Sequence, residues 1–337
     1  MPFSPALRPA AVAIAWMSIL APACVTPGPT GGLQSDARAE IPGGQGGVGF
    51  DDVWFSPTLG RVLLASGSRG LAVIDPATGA PAMVAGPSES YSVTESNGLL
   101  FAIDRAQSKL LVFDPSTRTQ VGSGNLSGFA DYVRAAPNGD LLISQPFDNR
   151  VEVLHPAASG APNPEHVAYI PTGSGAEGLA INPARRQAYT HLSDGSLAVI
   201  SLDTNAVVSR FRTGCGSHHG IPVYDDARGI VFAGCSSAKV VALSLDDGRV
   251  LGSHSAPGGS TILGYSPWLH HFYLRADPGV PVYVLAVAAD GTFTQLGTAD
   301  AATNGHCLTA DDRGQFWVCD ANTGALLRFT DPFPASP

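Results

Sequence analysis

A short apolar segment recurs seven times along this chain at a nearly constant spacing. In each copy apolar residues alternate as in a half-buried β-strand, and several copies end in Asp-Pro or Asp-Gly. The period is about 43 residues, which is typical of the four-stranded blades of a β-propeller. The repeat predicts an all-β fold, a seven-bladed β-propeller of four-stranded antiparallel blades. The copies are LAVIDPATG at Leu71–Gly79, LLVFDPSTR at Leu110–Arg118, VEVLHPAAS at Val151–Ser159, LAVISLDTN at Leu197–Asn205, VVALSLDDG at Val240–Gly248, VYVLAVAADG at Val282–Gly291 and ALLRFTDP at Ala325–Pro332.

The composition agrees with one large β domain and argues against a nucleic-acid partner. Hydrophobic residues make up 44% of the 337 residues, and the 39 glycines and 27 prolines suit many tight turns. The net charge is −9, with 19 Lys and Arg against 28 Asp and Glu and no basic run. Nucleic-acid binding requires clustered cations that neutralise phosphates, so no nucleic-acid partner is expected.

The last blade lacks an outer strand of its own. After its third strand, Ala325–Thr330, the remaining Asp331–Pro337 is rich in proline and too short for another. An open ring would leave an unpaired strand edge. We therefore expect residues 36–43 to pair there and to close a propeller domain that occupies residues 46–337.

The N-terminus resembles an export signal over residues 1–23. Arg8 precedes the apolar stretch Ala10–Ala21, which is too short to span a bilayer, and Ala21–Ala23 forms an A-x-A cleavage site. Cys24 follows, as in a bacterial lipoprotein whose new N-terminal cysteine is acylated. Residues 24–45 are predicted to be a Pro/Gly-rich tether. The chain is expected in the periplasm or at the outer membrane or cell surface as a lipoprotein, and otherwise as a freely secreted protein.

Five cysteines fit an exported protein if one of them carries a lipid. With Cys24 acylated, four remain for two disulfides in an oxidising compartment. Cys307 and Cys319 flank a turn symmetrically, and Cys215 and Cys235 belong to the same end of blade 5. We expect the pairs Cys215–Cys235 and Cys307–Cys319. A metal site is the alternative, although no C-x-x-C spacing favours it.

Candidate metal ligands fall where the chain would approach the upper mouth of the central channel. They are Glu177, His219, His306 and Asp131, each from a different blade; strand alternation sends only one of His218 and His219 inwards, and we choose His219. Carboxylates and neutral imidazoles suit one divalent ion, Zn, Mn or Ca, and an open position could activate a water. The alternative is that these are ordinary solvated loop residues.

The segment Val73–Gly79 (VIDPATG), its copies and the export signal resemble the bacterial YVTN-repeat β-propellers, of the quinoprotein amine dehydrogenase β-chain-like class. The resemblance covers residues 45–332, and blades 3 (HPAAS) and 6 (AVAADG) depart from it. It implies a propeller at the cell envelope and assigns no activity. Calcium-dependent lactonase-type and lyase propellers have similar blades, which keeps an enzyme open.

Two functions therefore remain after the sequence alone. The first is a membrane-anchored, non-catalytic binding scaffold, a monomer that holds an envelope protein or small molecule at the channel mouth. The second is a metal-dependent hydrolase or lyase in which Glu177 or a histidine moves the proton. A quinone-cofactor oxidoreductase is a third class, and no residue supports it. The sequence contains no nucleophile elbow and no dinucleotide-binding or P-loop glycine pattern that would decide between them.

Overall fold

The computed structural model describes residues 1, 32–156, 162–276, 281–302 and 305–336. Within them the chain forms seven four-stranded antiparallel sheets, which are the seven predicted blades. In the described ranges the helical content is one 3₁₀ turn, and no helix there is long and apolar enough to cross a bilayer. Cys24 and, apart from Met1, the predicted signal peptide lie outside the described residues.

Blades 1 to 4 are each built from four consecutive strands, ordered from the channel outwards. They are β2 (Val53–Ser56), β3 (Arg61–Ala65), β4 (Leu71–Ile74) and β5 (Pro81–Val84); β6 (Ser90–Ser96), β7 (Leu99–Asp104), β8 (Lys109–Asp114) and β9 (Thr119–Asn125); β10 (Val133–Ala135), β11 (Leu141–Gln145), β12 (Arg150–Pro156) and β13 (Pro164–Pro171), with the 3₁₀ turn Pro146–Asp148 after β11; and β14 (Ala176–Asn182), β15 (Gln187–Leu192), β16 (Ser196–Ser201) and β17 (Ala206–Arg212).

Blades 5 and 6 follow the same plan, and blade 7 combines the two ends of the domain. The strands are β18 (Val223–Asp225), β19 (Ile230–Gly234), β20 (Lys239–Ser244) and β21 (Val250–Ser255); β22 (Thr261–Ser266), β23 (His271–Ala276), β24 (Val282–Val287) and β25 (Phe293–Ala299); and β26 (Leu308–Ala310), β27 (Gln315–Asp320), β28 (Ala325–Thr330) and β1 (Ala37–Glu40).

The recurring segment is the third strand of each blade together with the turn that follows it. In blade 1, Asp75 Oδ1 accepts a hydrogen bond from the backbone N–H of Ala77 at 2.8 Å, and in blade 2 Asp114 Oδ1 accepts one from Ser116 at 2.7 Å. These are Asx turns, which explain why aspartate ends the copies. The strand itself is buried on both faces because it packs between neighbouring blades, as in β8. The outer strand β9 is largely exposed.

The ring is closed by the N-terminal strand, as predicted. β1 pairs antiparallel with β28, from Ala37 opposite Arg328 to Glu40 opposite Ala325. Asp36 strengthens the join, since its Oδ1 lies 2.6 Å from Arg328 Nε. Leu33 also bridges to blade 6 through its backbone N–H and C=O. The described end of the predicted tether is therefore already part of the ring.

Both predicted disulfides are present. Cys215 and Cys235 have Cα atoms 5.3 Å apart, and Cys307 and Cys319 have theirs 5.4 Å apart. Each bond joins the segment that leads into an inner strand to the end of the second strand of the same blade. Consequently both bonds hold loops at one face of the ring, the face that also carries the channel mouth.

Candidate functional site

The upper mouth of the channel collects side chains from the segments that enter the inner strands. Asp51 precedes β2, Asp131 precedes β10, Glu177 lies at the start of β14, His219 precedes β18 and His306 precedes β26. Because every blade sends its inner strand down from this face, residues far apart in sequence meet around one axis. The structure thus places all four predicted ligands at one mouth and adds Asp51.

Two imidazoles and two carboxylates form a continuous row at this mouth. Glu177 Oε1 lies 3.6 Å from His219 Nδ1, and the rings of His219 and His306 have centroids 4.6 Å apart. His306 Nε2 in turn lies 3.7 Å from Asp51 Oδ1. The choice of His219 agrees with this arrangement, since His218 is buried and stacks on His191 with centroids 4.5 Å apart.

Arg105 completes the row and was not identified from the sequence. Its Nη2 lies 2.5 Å from Asp131 Oδ1 and 3.6 Å from Asp51 Oδ2. The guanidinium carbon lies 3.6 Å from the centroid of the Tyr91 ring and 4.5 Å from that of Phe129. An arginine held between two aromatic rings is fixed in place by cation–π attraction. The feature of the sequence that could have identified Arg105 is a basic residue in a loop next to the acidic residues of the mouth.

Burial and mutual repulsion keep the carboxyls of the mouth partly protonated. Burial raises the pKa of Asp51 and that of Asp131 to about 7; each carboxyl is further disfavoured as an anion by acidic neighbours, while Arg105 opposes the rise. The pKa of Glu177 is also raised by burial and by Asp131, although 37% of its side chain is exposed. Burial, then the neighbouring His306, lowers the pKa of His219 to about 4, so this imidazole is neutral at pH 7.

Next to Asp51, a buried ion pair links blades 1, 2 and 3. Arg134 from blade 3 donates to both oxygens of Asp52 from blade 1, at 2.8 and 2.9 Å, and Ser92 from blade 2 donates to Asp52 at 2.6 Å. The cavity lined by Asp51, Asp52 and His306 has a volume of about 10 Å³, room for about one water. A ligand larger than water therefore has no room in this cavity and would contact the rim of the mouth.

Three features of the arrangement bear on the predicted metal site. Asp131, one of the four predicted ligands, is engaged by Arg105. Across the described ranges, no group of three or more His, Cys, Asp or Glu side chains is arranged to hold a metal ion. The Nδ1 atom of His219 is buried and has no hydrogen-bond partner, so its lone pair is available to a ligand.

An exposed aromatic pair lies beside the mouth on the same face. Phe129 comes from the segment before β10, and Phe147 from the turn between β11 and β12. Their side chains are exposed by 43% and 77%, and their ring centroids are 4.8 Å apart. Arg150 and Tyr169 extend this surface, with the guanidinium 3.9 Å from the ring centroid. No periodic signal in the sequence marks these residues, because they belong to loops and strand ends of variable length.

Comparisons with known proteins support the fold. No protein-family model matches the chain, and no curated protein matches it either. Among solved structures, the β-propeller domain of Cps50 (Swd1) from Myceliophteria thermophila matches with a TM-score of 0.70 at 9% identity, covering 84% of this chain and 97% of that one. A chain of the mitotic checkpoint complex matches with a TM-score of 0.75 at 12% identity, covering 95% and 99%. At these identities the likeness shows the fold alone, and the chain is a seven-bladed β-propeller.

Proposed function

We propose that this chain is an exported, lipid-anchored β-propeller of the YVTN-repeat type that binds a segment of an envelope protein on its upper face. The observation that carries the proposal is the exposed pair Phe129 and Phe147 beside the acidic mouth. Exposed aromatic residues next to fixed polar groups are typical of protein-binding surfaces. A propeller of similar fold in the mitotic checkpoint complex is consistent with this role by analogy of fold.

The chemistry of the surface defines the partner segment. Asp51, Asp131 and Glu177 face each other across the mouth, and Arg105 pairs with the first two of them. The three carboxyls therefore outnumber this cation, and a lysine or arginine from the partner would favour their ionised forms. An apolar side chain of the same segment would cover Phe129 and Phe147. The partner is thus a segment that combines a basic and an apolar residue.

Export and anchoring rest on residues 1–24 together with the two disulfides. Disulfides persist mainly in oxidising compartments, which agrees with a chain that leaves the cytosol. Mass spectrometry of the mature N-terminal peptide tests this part. A diacylated or triacylated peptide that begins at Cys24 supports the anchor, and an unmodified peptide that begins at Cys24 means free secretion. A mature chain that still begins at Met1 would contradict both export and anchoring.

Binding is tested with a defined peptide array in which Lys, Arg, Leu and Phe are permuted at fixed spacings. We expect saturable binding of peptides that combine a basic and an apolar residue. The Phe129→Ser/Phe147→Ser variant should lose at least tenfold in affinity, because covering two rings contributes about 1.5–3 kcal/mol each at most.

The control is Trp268→Ser, which removes an aromatic side chain that is 75% exposed in the turn between the first two strands of blade 6. That turn lies on the opposite face of the ring, so the control should bind peptides normally. Equal losses in both variants, or no preference for basic residues, would contradict the proposed surface.

A metal-dependent hydrolase or lyase is the second candidate, since Glu177, His219 and His306 are neighbours at the mouth, although a metal ion would have to draw the three side chains together. One divalent ion, Zn, Mn or Ca, would polarise a carbonyl or lactone oxygen there, with Glu177 as the proton acceptor. Metal analysis of the purified chain beside His219→Ala/His306→Ala tests it. One equivalent of metal that is lost in the variant supports the enzyme, and substoichiometric metal in both proteins removes the candidate.

A further inference from the structure

A second depression lies on the upper face, at the rim of blades 4 and 5 and outside the mouth. Its volume is about 600 Å³, which falls within the range of about 300–1,000 Å³ that small-molecule sites occupy. Its walls are the start of β16, the end of β17 and the segment that leads towards β18. The residues that matter are Arg210, Arg212, Asp194, Thr213 and Cys215.

Two arginines of the outer strand β17 line this depression. Arg210 is paired with Ala198 and Arg212 with Ser196 in the register of β16 and β17. The intervening Phe211 is buried on the other face of the strand. Because side chains alternate along a strand, the two guanidinium groups share one face, about 7 Å apart at their backbones.

The charges of the depression are not balanced. Arg210 is anchored by donating from Nη2 to the carbonyl of Thr172, whereas Arg212 has no hydrogen-bond or ion-pair partner among the described residues. Asp194 is already engaged, since its Oδ1 accepts from the backbone N–H of Ser196 at 3.0 Å and from the Ser196 hydroxyl at 2.6 Å. Two cations against one carboxylate form an electropositive site on a chain of net charge −9.

The wall that continues from Arg212 through Thr213 to Cys215 is rigid. The hydroxyl of Thr213 donates to the carbonyl of Gly195 at 2.7 Å and accepts from the N–H of Cys215 at 3.1 Å. Cys215 is in turn bonded to Cys235, which directly follows β19. A wall that is fixed before the ligand arrives lowers the entropic cost of binding.

We propose that this depression binds a small organic anion whose carboxylate or phosphate group lies between Arg210 and Arg212. The planar guanidinium fork matches the oxygens of either group, and two forks on one face hold an oxyanion from both sides. The volume is that of an organic molecule, larger than a free inorganic ion. The site is separate from the mouth and does not rest on the proposed function.

The test uses the full-length chain at 150 mM NaCl, titrated by calorimetry with citrate, with glucose 6-phosphate and with inorganic phosphate. Saturable binding of citrate alone assigns a carboxylate, binding of glucose 6-phosphate alone assigns an organic phosphate, and binding of both supports the shared oxyanion chemistry. Binding of inorganic phosphate alone, or of none of the three, overturns the proposal.

Matched variants locate the binding. Arg210→Gln/Arg212→Gln should weaken it at least tenfold, and Asp194→Asn should strengthen it several-fold by removing the competing carboxylate. Arg249→Gln is the control, because Arg249 is an exposed arginine beside the outer strand of blade 5 at the opposite face. An equal loss in the control, or weaker binding in Asp194→Asn, overturns the site. Unchanged unfolding midpoints show that the variants are folded.

Discussion

His306 Nε2, from the last blade, lies 3.7 Å from Asp51 Oδ1, which precedes the first blade. The contact joins the two ends of the repeat at the mouth, on the same ring that β1 and β28 close at its outer edge. The geometry of the mouth therefore depends on ring closure as well as on the residues that line it.

The Asp51→Asn variant should change how stability depends on pH. The pKa of Asp51 is raised from 3.8 to about 7, so between these values the folded chain binds a proton that the unfolded chain does not. Stability supplied by this group is thus lost as pH rises through about 7. The neutral amide would remove that loss and the repulsion on Asp131, and we expect the variant to gain about 1–2 kcal/mol at pH 8 and little at pH 5.

Urea unfolding of both proteins at pH 5 and pH 8 measures this difference. A variant that is less stable than the parent at pH 8 would contradict it. Asp290→Asn is a suitable control, because Asp290 lies in an exposed turn and its pKa is lowered by hydrogen bonds to Thr292.

The Arg105→Gln variant should lose stability, and it should lose more at pH 8 than at pH 5. Arg105 lies within 4 Å of both Asp51 and Asp131 and opposes the rise of their pKa values. Without it the pKa values of both carboxyls rise further, and each carboxyl that ionises becomes a poorly compensated buried charge. We expect a loss of about 3 kcal/mol at pH 8 and a clearly smaller loss at pH 5, read from the same unfolding curves. Equal losses at both values would show that stacking on Tyr91 and Phe129, and not charge, is what Arg105 contributes.

Ring closure is tested at Ala39, which is fully buried in β1. Ala39→Asp places a carboxylate between β28 and the core, and we expect a loss of about 3 kcal/mol or more. Glu40→Gln, at the exposed neighbouring position, is the control and should change stability by less than about 0.5 kcal/mol. Deletion of residues 35–45 should destabilise the entire ring, so that calorimetry shows a lower midpoint for one cooperative transition. A deletion protein with an unchanged midpoint would mean that the ring closes without β1.

The two disulfides should contribute separately to stability. They enclose sequence separations of 20 and 12 residues, for which loop-closure entropy gives about 3 kcal/mol each. Cys307→Ser/Cys319→Ser and Cys215→Ser/Cys235→Ser should each lower the free energy of unfolding by about that amount. Only the second variant should also weaken anion binding at Arg210 and Arg212, because Cys215 forms part of that wall. Loss of anion binding in both variants would indicate a general effect of unfolding.

The sequence was sufficient for the fold, because each blade repeats one alternating strand and one turn at a regular period. It also placed Glu177, His219 and His306 at one mouth, since that follows from counting strands. It could not show that Asp131 is held by Arg105, or that Tyr91 and Phe129 enclose the arginine. These contacts cross between blades, and they depend on loop conformations that strand periodicity does not encode.

The closing strand has a mechanical consequence. β1 is continuous with the N-terminal segment, so under the proposed anchoring any pull between the membrane and a ligand at the upper face acts first on the backbone bonds of Leu33 to blade 6 and then on residues 37–40. The pull acts along the strand, and the backbone hydrogen bonds to β28 resist it together in shear instead of opening one after another. A force on the anchor would thus load the same backbone hydrogen bonds that close the ring.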